Sequence, residues 1–277
     1  MPDCLFTMKN SFEITKTLDE KYHKILSYDL RQIDNPDLYH HLRLGYLDRI
    51  NKIISLITKL YPDMGNIKIG DFACGQGNMS LLLAEMGGKV TAIDIEKIFI
   101  EYAKKKYEKG AVDWIVCNIE DLDLPENFLD VGIAGEIIEH CAYPEDMVEI
   151  ILNYIRPGGS LVVTTPNGDY LRNHLPTFNQ VRSKNLRRKF EAQQFGPDGE
   201  HHLFLFNLEE IRDIFPTNAK IIEQGYMGGT VLINEYSRHL FKVFPVSFVE
   251  KLIRVLARIP IINRKTFYNI YVLLKKS

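Results

Sequence analysis

Asp71, Gly75, Gly77 and Asp94 stand at spacings that could build a ligand pocket. Asp71 lies in Ile69-Gly-Asp-Phe-Ala-Cys-Gly-Gln-Gly-Asn-Met-Ser80, at the end of an apolar run and directly ahead of a glycine-rich turn. Gly75 and Gly77 let the backbone bend sharply and approach a ligand, because glycine has no Cβ and reaches positive φ at little cost. Asp94 closes the next apolar run, where a carboxylate can accept both hydroxyls of a ribose. Cys74 and Ile95 flank these positions and belong to the same expected pocket. A second constellation is Gly135-Glu-Ile-Ile-Glu-His140. If a helical turn begins after Gly135, then Glu136, Glu139 and His140 fall at i, i+3 and i+4 and share one face. His140 could then act as a general base with Glu139 orienting its imidazole. Alternatively, Glu136, Glu139 and His140 could hold a divalent ion that lowers the pKa of an acceptor oxygen, with His201 or His202 completing or flanking the site.

The elements that must position these residues alternate in type. Short β-rich runs at 67–73, 89–95, 112–119, 129–135 and 160–165 are separated by helical patterns at 78–86, 96–109 and 144–155, the rhythm of a parallel sheet. Pro157 and the glycines after it read as the stop of the last helix. Further strands are expected at 220–226 and 268–275, which makes seven, and an amphipathic helix at 248–259. Residues 1–60 read as an N-terminal helical flank or lid, with Leu38, Leu42, Leu47, Ile50, Ile54 and Ile57 at helical spacing. Residues 61–277 form the α/β domain, and 166–206, polar and basic, reads as an insertion after the fifth strand that covers the acceptor site. The edge at the carboxyl ends of the strands is where open parallel sheets bind ligands.

Composition bounds the class. Hydrophobic residues are 45% and charged residues 25%, as in globular domains. The net charge of -2, from 34 basic and 36 acidic side chains, gives no global field toward nucleic acid. Cys4, Cys74, Cys117 and Cys141 show no CxxC spacing, so reduced thiols and a cytoplasmic location are expected. No apolar stretch approaches the roughly 20 residues of a spanning helix, which leaves peripheral membrane contact open. Oligomeric state has no signature here.

A strand, a glycine turn and a later acid also describe a dinucleotide site, but Gly75-x-Gly77-x-x-Ser80 lacks the third glycine. A carboxylate at Asp71 would also repel a pyrophosphate. It suits a cationic ligand, and S-adenosylmethionine carries an ammonium and a sulfonium. Taken singly, Asp71 reads equally well as a helix cap; together with both glycines and Asp94 it reads as a pocket.

On these residues, and through Cys117-Asn-Ile-Glu-Asp-Leu122, Phe128-Leu-Asp-Val131 and Arg156-Pro-Gly-Gly159, the chain resembles class I S-adenosylmethionine-dependent methyltransferases. The resemblance spans most of 37–275 and implies a doubly wound, mostly parallel seven-stranded sheet of Rossmann-like α/β fold. It implies that Asn118 and Ile119 contact the adenine and that Gly135 borders the donor. Leu42-Arg-Leu-Gly-Tyr46 and Gly135-Glu-Ile-Ile-Glu-His140 further resemble the ubiquinone-biosynthesis O-methyltransferases. That likeness implies a clamp on the donor carboxylate at Arg43, whose planar fork pairs two oxygens. It also implies a magnesium-type ion at Glu136, Glu139, His140 and His202, and methyl transfer to a hydroxyl of a small or lipid-linked acceptor.

RNA is the rival acceptor, because Glu-x-x-Glu-His with His202-Leu-Phe204 also resembles small-RNA terminal-ribose methyltransferases. Arg182, Lys184, Arg187, Arg188 and Lys189 could meet phosphates, and Tyr170, Phe178 or Phe190 could stack on bases. The slightly acidic net charge and the lack of an attached RNA-binding module weigh against it. A cofactor-binding regulator without transfer activity is a third reading, opposed by the intact Glu136, Glu139 and His140.

Overall fold

The computed structural model describes residues 19–106, 110–183, 186–194 and 202–277. Cys4, Lys184, His201 and the tail of the helix expected at 96–109 lie outside them. Seven strands, β1 (Lys68–Phe72), β2 (Lys89–Asp94), β3 (Val112–Val116), β4 (Leu129–Gly135), β5 (Ile155–Pro166), β6 (Ala219–Thr230) and β7 (Phe267–Lys276), form one sheet in the order β3-β2-β1-β4-β5-β7-β6. The first five run parallel, and β7 inserts antiparallel between β5 and β6. The doubly wound seven-stranded sheet is thus present. Strand order reverses at β1, which pairs with β2 on one side and β4 on the other, so a crevice opens at the carboxyl ends of β1 and β4.

Most residues of strands β1, β4 and β5 are buried, with Ile69, Phe72, Val131, Ile133, Leu161, Val162 and Val163 supplying the apolar part of the core. On one face lie α1 (His23–Arg31), α2 (His41–Leu60), α3 (Asn78–Glu85) and α4 (Lys97–Lys106); α5 (Pro144–Tyr154) packs on the other. Leu44, Leu47, Ile50, Ile53 and Ile57 of α2 are buried, whereas Leu38 and Leu42 are exposed, against expectation. The helix starts only at His41, where His40 Nδ1 accepts a hydrogen bond from the Leu42 amide, so Leu38 lies before it and Leu42 on its outer side. α5 ends at Tyr154, and the Pro-Gly-Gly run already belongs to β5.

The 166–206 segment is less polar in space than in sequence. Phe178, Val181, Leu203, Phe204 and Phe206 are buried in the main core, each large side chain adding roughly 1.5–3 kcal/mol of burial. α6 (Phe178–Ser183) and α7 (Arg187–Phe190) are joined to α5 through Arg187, which donates to Glu145 at 2.6 Å and to the Ala142 carbonyl at 2.9 Å.

Candidate active site

The turn after β1 is built on left-handed backbone: φ is 58° at Ala73, 51° at Gly75 and 72° at Gly77. Gly77 must be glycine, because a Cβ there would meet the Trp114 ring at 2.6 Å and Ala103 at 2.7 Å. A Cβ on Gly75 would meet nothing within 4 Å; it would project into open space, as a cradle for a ligand requires. Asp94 holds this turn, accepting from the Gly75 amide at 2.7 Å and the Glu96 amide at 2.8 Å. Burial raises its pKa, opposed by those two N–H groups, and each oxygen retains a lone pair for a ligand hydroxyl. Asp71 is almost fully buried and accepts from Ser80 Oγ. Burial pushes its pKa up to about 6, so a cationic ligand would draw it back to the charged form.

Asp71, Cys74, Gly75, Asp94, Ile95, Asn118, Ile119 and Gly135 all line one cavity of about 560 Å³, inside the range of cofactor pockets. Gly77 does not line it and acts through packing. Asn118 accepts from the Glu120 amide at 3.3 Å and so caps the short turn that presents Ile119. The residues present therefore fit a nucleoside with a cationic tail.

Arg43, expected as the carboxylate clamp, is not part of this wall. Its charge acts on Asp34, and its Nε is buried without a hydrogen bond among the described residues. Tyr46 and Arg49, on the same helix, line the cavity instead. The face of α2 is set by Gly45, whose absent Cβ lets the helix touch β6: a methyl there would lie 2.5 Å from the Gly228 carbonyl oxygen. Helical spacing showed that 43, 46 and 49 are near one another but not which of them faces the ligand, and that is why Arg49 escaped sequence reasoning.

At the other end of the cavity, Glu139, His140 and His202 each offer a ligand atom within 4.8 Å of the others. The sequence expectation of one helical turn carrying Glu136, Glu139 and His140 does not hold. Only Ile138–His140 form a 3-10 turn, and Glu136 sits at φ 56°. Its carboxylate lines the same cavity but is not among those three ligand groups, accepting from Thr164 Oγ1 at 2.8 Å and Asn269 Nδ2 at 2.6 Å and pairing with Arg49 at 3.2 Å. Asn269 and Thr164 were invisible in sequence because they come from distant strands.

Glu139 is fully buried; Oε2 accepts from Thr165 Oγ1 at 2.9 Å while Oε1 has no partner among the described residues. Burial, then the charge of Glu136, drives its pKa well above the carboxylate range. His202 Nε2 lies 3.9 Å from Glu139 Oε1, beyond hydrogen-bond reach, and burial lowers its pKa, so the pair is not an ion pair. A neutral imidazole facing an orphaned carboxylate oxygen, with the His140 ring edge-on to His202 at 4.9 Å, is a donor set that fits a cation.

Of the residues considered for RNA contact, the aromatic ones and Arg187 are engaged within the fold, while Arg188 and Lys189 are exposed. Phe178 is core, Tyr170 packs edge-on against Tyr268, Phe190 against Phe204, and Arg187 lies over the Tyr143 ring.

Residues 70–163 match a family described as a methyltransferase domain. The match runs from β1 to β5 and takes in the glycine turn, Asp94, Asn118 and the Glu139–His140 pair. That stretch is similar to methyltransferase domains, and the sheet that carries it has the Rossmann-like fold. Among similar proteins, the ubiquinone biosynthesis O-methyltransferase of Rickettsia felis is 35% identical over 132 residues, 44% of this chain and 53% of that protein. The chain spans about half the length of the curated relatives it matches. In fold it resembles an S-adenosylmethionine dependent methyltransferase from Mesorhizobium loti, with a TM-score of 0.54 at 15% identity over 80% of this chain and 96% of that one. A plantazolicin methyltransferase, solved with a desmethyl analogue and SAH, aligns over 97% of this chain and 93% of its own at 16% identity and a TM-score of 0.54. No helix among the described residues is long and apolar enough to cross a membrane.

Proposed function

We propose that this protein is an S-adenosylmethionine-dependent O-methyltransferase acting on a hydroxyl of a small or lipid-linked acceptor with the help of a divalent ion. The observation that carries the reading is the meeting, in one cavity, of the Asp71–Asp94 pocket with His140 and His202. Asp94 would take the ribose hydroxyls, Asn118 and Ile119 the adenine, Asp71 the cationic tail and Arg49 the carboxylate. When bound, the donor supplies an electrophilic methyl group. The protein's part is to hold the acceptor oxygen in line with it, and positioning of this kind can remove several kcal/mol of barrier.

Glu139, His140 and His202 would hold the ion, whose chemistry is to lower the pKa of an acceptor hydroxyl. With Glu136 engaged by Thr164, Asn269 and Arg49, the donor set is two imidazoles and one carboxylate, which suits manganese, iron or zinc better than the magnesium expected from two carboxylates. In the alternative without an ion, a ring nitrogen of His140 is the group that would take the acceptor proton. A second cavity of about 190 Å³, sharing Gln32, Tyr46, Arg49 and Glu136 with the first and lined by Tyr268 and Asn269, offers room for the acceptor's body.

The test is a donor-consumption assay over polyprenyl phenols, catechols, sugars and small RNA, run with chelator and with each metal restored. Loss of turnover on chelation and recovery with manganese, iron or zinc is expected. Rates unchanged after full metal removal would refute the ion. S-adenosylhomocysteine binding without turnover of any acceptor would favour the regulatory reading.

A further inference from the structure

Between β6 and β7 the chain makes a detour through α8 (Arg238–Phe241), α9 (Val246–Leu256) and α10 (Pro260–Thr266). One side of this detour is anchored: Val249 and Ile253 are buried with Leu44, Ile233 and Phe267. The other side is apolar and uncovered. Leu240 is 71% exposed, Val243 78% and Ile261 87%, and Phe244 and Phe248 stack on each other at 4.9 Å while remaining exposed. A run of exposed large apolar side chains from neighbouring short helices is not the scattered surface hydrophobicity of ordinary domains.

The charge around it has one sign. Residues 232–266 hold seven basic and two acidic side chains, whereas the rest of the chain holds 27 basic and 34 acidic. Arg238 and Lys242 pair with Asp37, and Arg264 and Lys265 with Asp169. Lys251, Arg254 and Arg258, on the same detour, are exposed and make no ion pair among the described residues, although Arg254 also acts on the buried carboxylate of Asp48. A segment that exposes both large apolar side chains and an excess of cations complements an anionic lipid surface, where acyl chains and phosphates lie at adjacent depths.

Position in the fold gives the surface a use. The detour leaves β6 at Thr230 and rejoins the sheet at Phe267, which pair with each other, and Asn269 pairs with Pro166 at the end of β5. It therefore lies on the same carboxyl edge as the candidate active site.

We propose that residues 232–261 dock on an anionic bilayer and hold the mouth of the active-site cavity against it, so that a lipid-linked acceptor enters from the membrane. The second clause rests on the O-methyltransferase reading; the docking does not. The test is co-sedimentation of the full chain with phosphatidylcholine vesicles and with vesicles containing phosphatidylglycerol. The variants are L240S/V243S/F244S and K251E/R254E/R258E, with circular dichroism and S-adenosylhomocysteine calorimetry on each.

The wild type is expected to pellet with the anionic vesicles, less so at high salt, and each variant to partition about tenfold or more weakly with its fold and donor binding intact. Failure of the wild type to pellet, or variants that pellet like it, would overturn the proposal. So would a dimer that both variants dissolve and vesicles do not capture, which would make the surface a contact between copies. Docking without S-adenosylhomocysteine binding would leave the surface standing and remove the methyltransferase reading instead.

Discussion

Asp94 takes its hydrogen bonds from Gly75 and Glu96, 19 and 2 residues away, whereas Glu136 takes its bonds from Thr164 and Asn269, 28 and 133 residues away. The donor end of the cavity is thus a local structure, fixed by one turn and the strand beside it. The acceptor end exists only when β7, α2 and the segment carrying His202 have docked. A local site can be damaged without touching the fold, while a site assembled over long range fails through its supports as readily as through its reactive groups.

Replacing His140 is expected to give the largest effect. His140→Ala should lower turnover by about 10²- to 10⁴-fold and leave S-adenosylhomocysteine binding at the wild-type value, measured by initial rates and calorimetry. A comparable loss in both would break the division between the two ends. Asp94→Ala should do the reverse at the level of binding. By removing the carboxylate that the turn and the ligand share, it should weaken S-adenosylhomocysteine binding by on the order of 2 kcal/mol, roughly 30-fold.

The two glycines sharpen the comparison within the donor end. Both have positive φ, so alanine is strained at either, by about 1–3 kcal/mol. At Gly77 the new methyl also strikes Trp114 and Ala103, whereas at Gly75 it enters the cavity. Gly77→Ala should therefore lower the melting temperature more, and Gly75→Ala should lose more donor binding than its melting temperature accounts for. Equal behaviour of the two variants would contradict the geometry.

The smallest effect concerns the docking of α2. Although burial pushes Glu223 upward, hydrogen bonds from Lys52, Lys59 and Tyr271 outweigh it and hold its carboxyl at about 2, below the ordinary 4.5. A carboxyl depressed on folding contributes stability above its unfolded pKa and loses it as pH falls toward the folded value. The melting temperature should fall between pH 4.5 and about pH 2, and Glu223→Gln should flatten that fall. An unchanged pH profile in the variant would show that these contacts do not hold α2.

What the sequence made legible follows the same division. The glycine turn, Asp71 and Asp94 were readable because strand, turn and helix signals are contiguous there. The parallel strands were readable because short β-rich runs alternate there with helical patterns. Glu136 was misplaced because nothing in Gly135-Glu-Ile-Ile-Glu-His140 reveals that its backbone turns left-handed, pulled by Thr164 and Asn269 from strands far along the chain. Arg49 was missed because helical period fixes neighbours but not the azimuth of the helix, and here Gly45 against Gly228 sets it. Phe178 and Phe190 read as surface because nothing in their local pattern shows that they fold onto Phe204 at the end of the same segment, and Tyr170 because its partner, Tyr268, comes from β7.

The measurement that bears most directly on the account is calorimetric titration of the purified chain with S-adenosylhomocysteine and, separately, with NADH. Saturable binding of the first, lost in Asp94→Ala, and no heat from the second is the expected result. Uptake of NADH with none of S-adenosylhomocysteine would contradict it, for then the carboxylates of Asp71 and Asp94 would be serving a different ligand.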